Sequence, residues 1–352
     1  MDKMYKNAIA LLQMLIATPS LSSEEQDTAT IVRLFLKDSG VDVVHQLHNN
    51  VWAVNRWFDP AKPTILLNSH HDTVAPNPAY TRSPFEASIE GDRLYGLGGN
   101  DAGASVVSLL SVFLYNYNRR DMRYNLCIAI TAEEEISGRF GLECLLPQLG
   151  ELDFAIVGEP TRMQLATAER GLMVIDCIAR GRSGHAAREE GDNAIYKAIK
   201  DIEWFRDYRF AKVSESFGQV KMNVTILHAG TQHNVVPAEC RFTVDVRVTD
   251  CYTNEEVLEE IRRNVSCDVI PRSTRLKPSY IPKDHPIVQA GIALGRTCYG
   301  SPTTSDQALL SIPSLKIGPG DSARSHTADE FVLLSEIKEG TDLYIKLLDA
   351  IL

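Results

Sequence analysis

Residues 64–73 read TILLNSHHDT. The run begins apolar, with Ile65, Leu66 and Leu67, and ends in His70, His71 and Asp72. A short apolar run of this kind predicts a buried strand. Polar groups at its carboxyl end fall where open α/β sheets place their chemistry. The same grammar recurs twice. Residues 125–131 (NLCIAIT) lead straight into Ala132, Glu133, Glu134 and Glu135, and residues 154–157 (FAIV) into Gly158, Glu159 and Pro160. Three strand ends therefore deliver imidazoles and carboxylates toward what reads as one cleft, and metal ions need that mixture of ligands.

Outward from these strands the chain reads as alternating α and β. Residues 3–16 carry Ala8, Leu11, Leu12 and Leu15 at helical spacing, so this Lys-flanked apolar stretch predicts a helix and not a secretory leader. Ser22-Ser23-Glu24-Glu25 has capping-box spacing and predicts a second helix to about Ser39. Residues 41–46 and 51–57 read as a strand pair, 80–98 as a polar loop, 102–117 and 141–149 as helices. At about residue 171 the character changes. Residues 172–179 and 220–227 predict strands around a helix at 193–208. Residues 239–248 alternate Cys240, Phe242, Val244, Val246 and Val248 with polar partners, the mark of a half-exposed antiparallel strand, and a helix follows at 255–265. The first pattern resumes after 280, with a helix at 285–298, a short strand at 314–317, a loop at 318–326 and a closing amphipathic helix at 334–348. The fold class is α/β: a catalytic domain (residues 1–170 and 279–352) with a mainly parallel mixed sheet flanked by helices, and an inserted α+β unit at 171–278.

The chain has 352 residues, 44% hydrophobic and 23% charged, with a net charge of −10. That length exceeds one compact core. The negative balance argues against nucleic acid or an anionic membrane as partner, and no 18-residue apolar run predicts a membrane span. Seven widely spaced cysteines without a CxxC pair fit reduced thiols in a cytoplasmic setting, so any metal falls to His, Asp and Glu. The glycine cluster Gly96-Leu97-Gly98-Gly99-Asn100-Asp101 lacks both GxGxxG spacing and a Walker lysine. The plainer reading is a tight turn that aims Asp101 at the cleft.

Each candidate alone has a bland explanation. His70 is most simply a core histidine, Asp101 a helix cap, Glu159 a turn residue, His326 a loop histidine, and 133–135 a solvated acidic run. Together they are two histidines and three acids at five separate strand or loop ends, a donor set suited to paired zinc or cobalt. Positions i and i+2 of a strand share a face, so Asp72 is placed to fix the tautomer of His70, while His71 points away and reads as structural. Adjacent glutamates on an extended segment face opposite sides, one toward metal and one toward substrate.

These motifs, in order over nearly the whole chain, resemble the di-zinc aminoacylase and carboxypeptidase family, which includes acetylornithine deacetylase and succinyl-diaminopimelate desuccinylase. The matching stretches are Ser69-His70-His71-Asp72-Thr73-Val74, Gly96 to Asp101, Thr131 to Glu135, Val157 to Thr161, and Gly318 to Glu330. By resemblance, His70 and Glu159 hold one metal, Glu135 and His326 the other, and Asp101 bridges them. Asp72 orients His70, and Glu134 is the general base that acts through a hydroxide between the metals. Two departures from the family pattern, Ala102-Gly103-Ala104 after Asp101 and His71 at a commonly apolar position, touch no ligand. In the inserted ferredoxin-like unit, Gly181 to Ala187 resembles a dimerisation and lid motif whose His185 reaches a partner's site. Asn234 and Arg247 lie in stretches that resemble substrate-facing motifs, and Arg247 is either a carboxylate clamp or a strand salt-bridge residue. The resemblance implies a homodimeric, metal-dependent hydrolase of N-acyl amino acids, with N-acetylornithine the first choice of substrate and arginine biosynthesis the setting. Desuccinylation of succinyl-diaminopimelate and dipeptide hydrolysis stand as alternatives, and a non-catalytic metal-binding protein is the reading from a different class.

Overall fold

The computed structural model describes residues 2–352, which form two compact units, one of residues 2–167, 280–299 and 305–352 and the other of Ala168–Ser279 and Gly300–Thr304. In the first unit the strands His45–Leu47, Asn50–Val54, Asn125–Thr131, Thr64–His70, Phe154–Val157 and Ser314–Lys316 lie side by side in that order. The last four run parallel, and the first two form an antiparallel edge. Every residue of Thr64–His70, Asn125–Thr131 and Phe154–Val157 is buried, as expected for parallel strands covered on both faces. Side chains alternate between two apolar clusters. Ile65, Leu67, Ile128, Ile130 and Ile156 pack with Leu11, Leu12, Val32, Leu36, Phe113 and Tyr344 from helices Asp2–Ala17, Gln26–Asp38, Ala104–Asn116 and Leu334–Asp349. Leu66, Cys127, Ala129, Ala155 and Val157 turn the other way, onto Leu142, Leu145 and Leu310. Each buried Leu, Ile, Val or Phe among them contributes about 1.5–3 kcal/mol.

Register positions the chemistry. His70 pairs with Thr131, and Asn68 with Val157, so three carboxyl ends finish nearly flush. His70 itself, the Glu133–Glu135 triplet and Glu159 therefore emerge at one edge.

Three local expectations are corrected. No capping box forms at Ser22–Glu25; the N-cap is Glu25 without a side-chain cap bond. Its buried carboxylate instead accepts from the amides of Ser23 (2.6 Å) and Glu133 (3.2 Å) and from Asn49 Nδ2 (2.7 Å). Residues 80–98 are not wholly loop: Ser88–Glu90 and Arg93–Tyr95 form a hairpin completed by Phe331–Leu333. Three-residue strands are too short to show an alternation, and the third partner lies far along the chain. The predicted helix at 141–149 contracts to Leu142–Leu145 and one further turn, Leu146–Gln148, with Pro147 inside.

The second unit is an antiparallel sheet ordered Lys221–Ala229, Glu239–Val248, Gly171–Arg180, Asp268–Pro271. Helices Ala194–Asp207 and Asn254–Asn264 share one core with Met173, Ile175, Cys177, Phe242, Val244 and Val246. Strand, helix, two strands, helix and strand in this order give the ferredoxin-like arrangement. The last strand was not legible in the sequence: only four residues long, it alternates exposed and half-buried positions. Among the described residues no helix is long and apolar enough to cross a membrane.

Candidate metal centre

His70 closes its strand, and its ring is buried. Nδ1 lies 3.1 Å from the backbone oxygen of Asp72 and 3.3 Å from its carboxylate. Both are acceptors, so Nδ1 carries a hydrogen and Nε2 is the ring nitrogen turned toward a ligand. That nitrogen faces Asp101 Oδ1 at 3.3 Å, Glu159 Oε1 at 3.7 Å and Glu134 Oε2 at 3.9 Å. Asp72, buried beside it, also accepts from Ser22 Oγ (2.7 Å) and from the amides of Glu134 (3.0 Å) and Glu135 (3.1 Å). One carboxylate thus orients the histidine and fixes the backbone of both glutamates.

The triplet is a turn and not the extended segment expected. Glu133 adopts a left-handed φ of 57°, and Ser137 and Gly138 donate back to Glu134 and Glu133 at 2.7 Å. The carboxylate of Glu133 accepts from Phe140 N (3.0 Å) and Ser23 Oγ (3.2 Å) and is structural. Glu135 meets His326, whose Nε2 lies 3.0 and 3.1 Å from the two carboxylate oxygens. His326, also at positive φ, reaches Asp101 Oδ2 at 3.8 Å. Asp101 therefore presents one oxygen to His70 and the other to His326.

His70, Asp101 and Glu159 form one group of converging ligand atoms, and Asp101, Glu135 and His326 a second; within each group the atoms lie within 4.8 Å of one another. Three acids and two histidines sharing a single carboxylate fit a pair of divalent cations. The electrostatics agree. Burial, with the charges of Asp101 and Glu135, pushes the Glu159 carboxyl up to about 8. The hydrogen bond that His326 donates to Glu135 raises the imidazole to about 9. Burial drives Glu134 well above the carboxylate range, with Glu159, Asp306 and Glu135 adding to it against His70. Burial opposes charge on His70, yet Glu134, Asp101 and Asp72 raise it well above its ordinary value. Anions crowded in this way are relieved by cations. Because Glu159 and His326 hold protons near neutral pH and ligands must be deprotonated, metal uptake releases protons. Affinity for a divalent cation is expected to strengthen from pH 6 to 9, by up to about tenfold per pH unit for each proton released. Calorimetric titration in buffers of differing ionisation enthalpy measures this, and a flat pH profile contradicts it.

His71 belongs to the scaffold, as its opposite orientation implies. Its Nε2 faces the Asn49 carbonyl at 2.9 Å and its Nδ1 lies 2.8 Å from Thr28 Oγ1; burial lowers its pKa, keeping it neutral. His71→Ala is expected to cost about 1–3 kcal/mol of stability, through lost hydrogen bonds to buried groups, while metal uptake is retained. Denaturant midpoints and metal stoichiometry separate the two effects.

Three named residues lie in the second unit. His185 pairs with Val235 in a two-residue ladder, and Ala186 N donates to Asn234 O at 2.9 Å, so the two motifs are neighbours. Ala187 N donates to His185 Nδ1 at 3.2 Å, which puts the imidazole hydrogen on the exposed Nε2. Arg247 departs from the clamp reading. Its Nε and Nη2 bond Asp245 at 2.8 and 3.1 Å, because residues two apart on a strand share a face.

Sequence reasoning assigned no role to two buried acids of the first unit. Asp306 accepts from Thr131 Oγ1 at 2.8 Å, and burial raises it to about 6. Glu330 accepts from the amides of Asn100 (2.8 Å) and Asp101 (3.0 Å). Asp306 sits outside any periodic run and gave no signal. Glu330 closes a quoted motif, but its partner lies 229 positions away.

Residues 167–268 match the M20 peptidase dimerisation domain model. A peptidase M20 domain-containing protein of Schizosaccharomyces pombe is 27% identical over 355 residues, covering 96% of this chain and 83% of the relative. Residues 167–268 thus carry an M20-type dimerisation domain, and the chain as a whole is similar to an M20 peptidase. Acetylornithine deacetylase of Buchnera aphidicola is 26% identical over 373 residues, covering 97% of both chains. Among solved structures, aminopeptidase PepT of Bacillus cereus superposes with a TM-score of 0.80 at 18% identity, over 99% of this chain and 98% of that one. These likenesses, with the two groups of ligand atoms, support a metal-dependent hydrolase.

Proposed function

We propose that this protein is an M20-type hydrolase that cleaves the acyl–nitrogen bond of an N-acylated amino acid, with N-acetylornithine, or a related N-acyl ornithine or citrulline, as substrate. One observation carries the reading: two ligand groups share Asp101, and Glu134 stands 3.9 Å from His70 Nε2 without belonging to either group. A site built only to hold metal has no use for that carboxylate. The deacetylase name of the Buchnera relative, matched over nearly its full length, supports the substrate class.

In this reading His70, Glu159 and Asp101 would hold one divalent cation, and Glu135, His326 and Asp101 the other. Zinc is the first expectation, with cobalt able to replace it. When bound, the pair polarises the scissile carbonyl and acidifies water. Glu134 accepts the proton of the attacking water and returns it to the nitrogen as the carbon–nitrogen bond breaks. His185, with its hydrogen on Nε2, offers a donor to the oxyanion of the tetrahedral intermediate, across a homodimer if the dimerisation domain acts as its name states. Arg247 contributes to carboxylate binding only after releasing Asp245. A cytoplasmic place in arginine biosynthesis follows from this substrate. Comparing kcat/KM on N-acetylornithine, N-acetylcitrulline, N-succinyl-diaminopimelate and a tripeptide tests the assignment. The highest value is expected on the ornithine or citrulline derivative, and turnover of the succinyl compound or the peptide alone overturns it.

A further inference from the structure

The glycine-rich loop before Asp101 has the form of an anion cradle, and its anion is part of this chain. The Glu330 carboxylate, 1% exposed, takes hydrogen bonds from the backbone amides of Asn100 and Asp101, at 2.8 and 3.0 Å on the same oxygen. Successive backbone amides that converge on one carboxylate form a nest. Gly98 sits at a φ of +74°, and a Cβ there would meet Thr73 Cγ2 at 2.5 Å, so the loop needs glycine to close around the acid.

Glu330 is held just as firmly from its own side. Its carbonyl accepts from Gly96 N at 3.0 Å, and the strand that follows, Phe331–Leu333, pairs with Arg93–Tyr95. One residue earlier, Asp329 accepts from Thr81 N (2.9 Å), Thr81 Oγ1 (2.5 Å) and Arg82 N (3.1 Å), and Asn77 Nδ2 bonds the carbonyl of His326 at 3.2 Å. A five-residue turn thus carries a ligand of the second group at its start and the support of the shared ligand at its end.

We propose that Glu330 is a positioning residue for the metal pair: its carboxylate holds the Asn100–Asp101 backbone so that Asp101 serves both ligand groups at once. The proposal rests on the two-metal reading above. It predicts that loss of the acceptor weakens both sites together, because Asp101 is common to both. A ligand whose own support is removed typically loses about 10–100-fold in metal affinity.

The test is titration of the full-length, metal-free protein with Co²⁺, followed by absorption, for wild type, Glu330→Ala and Glu330→Gln. Wild type is expected to take up two equivalents. Glu330→Ala is expected to raise both stepwise dissociation constants by about 10–100-fold, and Glu330→Gln to restore them to within a few-fold, since its amide oxygen still accepts both N–H groups. If Glu330→Ala does not fold, Glu330→Asp, which withdraws the oxygens by one methylene, is read with the same expectations. A change confined to one step, no change in either, or a glutamine variant as weak as the alanine variant overturns the proposal. Fewer than two equivalents in wild type overturns the two-metal reading instead.

Discussion

Glu134→Ala is expected to keep both metal ions and to lose at least about a hundredfold in hydrolysis, the scale on which a general base contributes. Its carboxylate belongs to neither converging group of ligand atoms, so its removal leaves three donors on each side. Its backbone position is set independently, by the Glu134 amide on Asp72 Oδ1 at 3.0 Å. The alanine backbone keeps that bond, and the turn that presents Glu135 survives. The measurement pairs metal content with kcat/KM. Retained metal and retained turnover would remove Glu134 from the chemistry. Lost metal would make it a ligand. A non-catalytic metal-binding protein of this fold predicts no turnover in the wild type at all.

Asp101→Ala has the broadest expected effect. Its two oxygens face His70 at 3.3 Å and His326 at 3.8 Å, so one truncation strips a donor from both groups. At least one of two metals is expected to dissociate, and hydrolysis to fall by more than about a thousandfold, since several kcal/mol of transition-state stabilisation depend on the pair. Alanine also leaves buried His70 Nε2 without its nearest carboxylate oxygen, so a structural loss needs excluding. An unchanged thermal midpoint of the metal-free protein does so, because that state holds no metal to lose. Two bound metals with near-normal turnover would contradict the bridging role.

The sheet and the strand ends were legible because buried parallel strands announce themselves as apolar runs, and the residues after them are then constrained in space. That logic reached His70, Glu159 and the Glu133–Glu135 triplet and put Asp72 beside His70; loop motifs added Asp101 and His326, the family resemblance singled out Glu135, and the fold brings the five ligand candidates together. It erred where the backbone leaves regular geometry. Glu133 sits at positive φ, so strand alternation does not govern Glu134 and Glu135. It fell short where a partner lies far away along the chain. Glu25, with the form of a capping-box member, braces Glu133 instead, and Glu330 supports Asp101 across 229 positions. Short strands such as Ser88–Glu90 and Asp268–Pro271 leave too few residues for a period to be read. Arg247 shows the complementary failure: the strand spacing that brought it forward also places Asp245 beside it.

The most direct test is anomalous scattering from crystals of the protein grown with zinc. Two peaks are predicted about 3.5–4 Å apart, one against His70 and Glu159, the other against Glu135 and His326, with Asp101 touching both. A single peak, or two peaks with Asp101 touching neither or only one, would contradict the account.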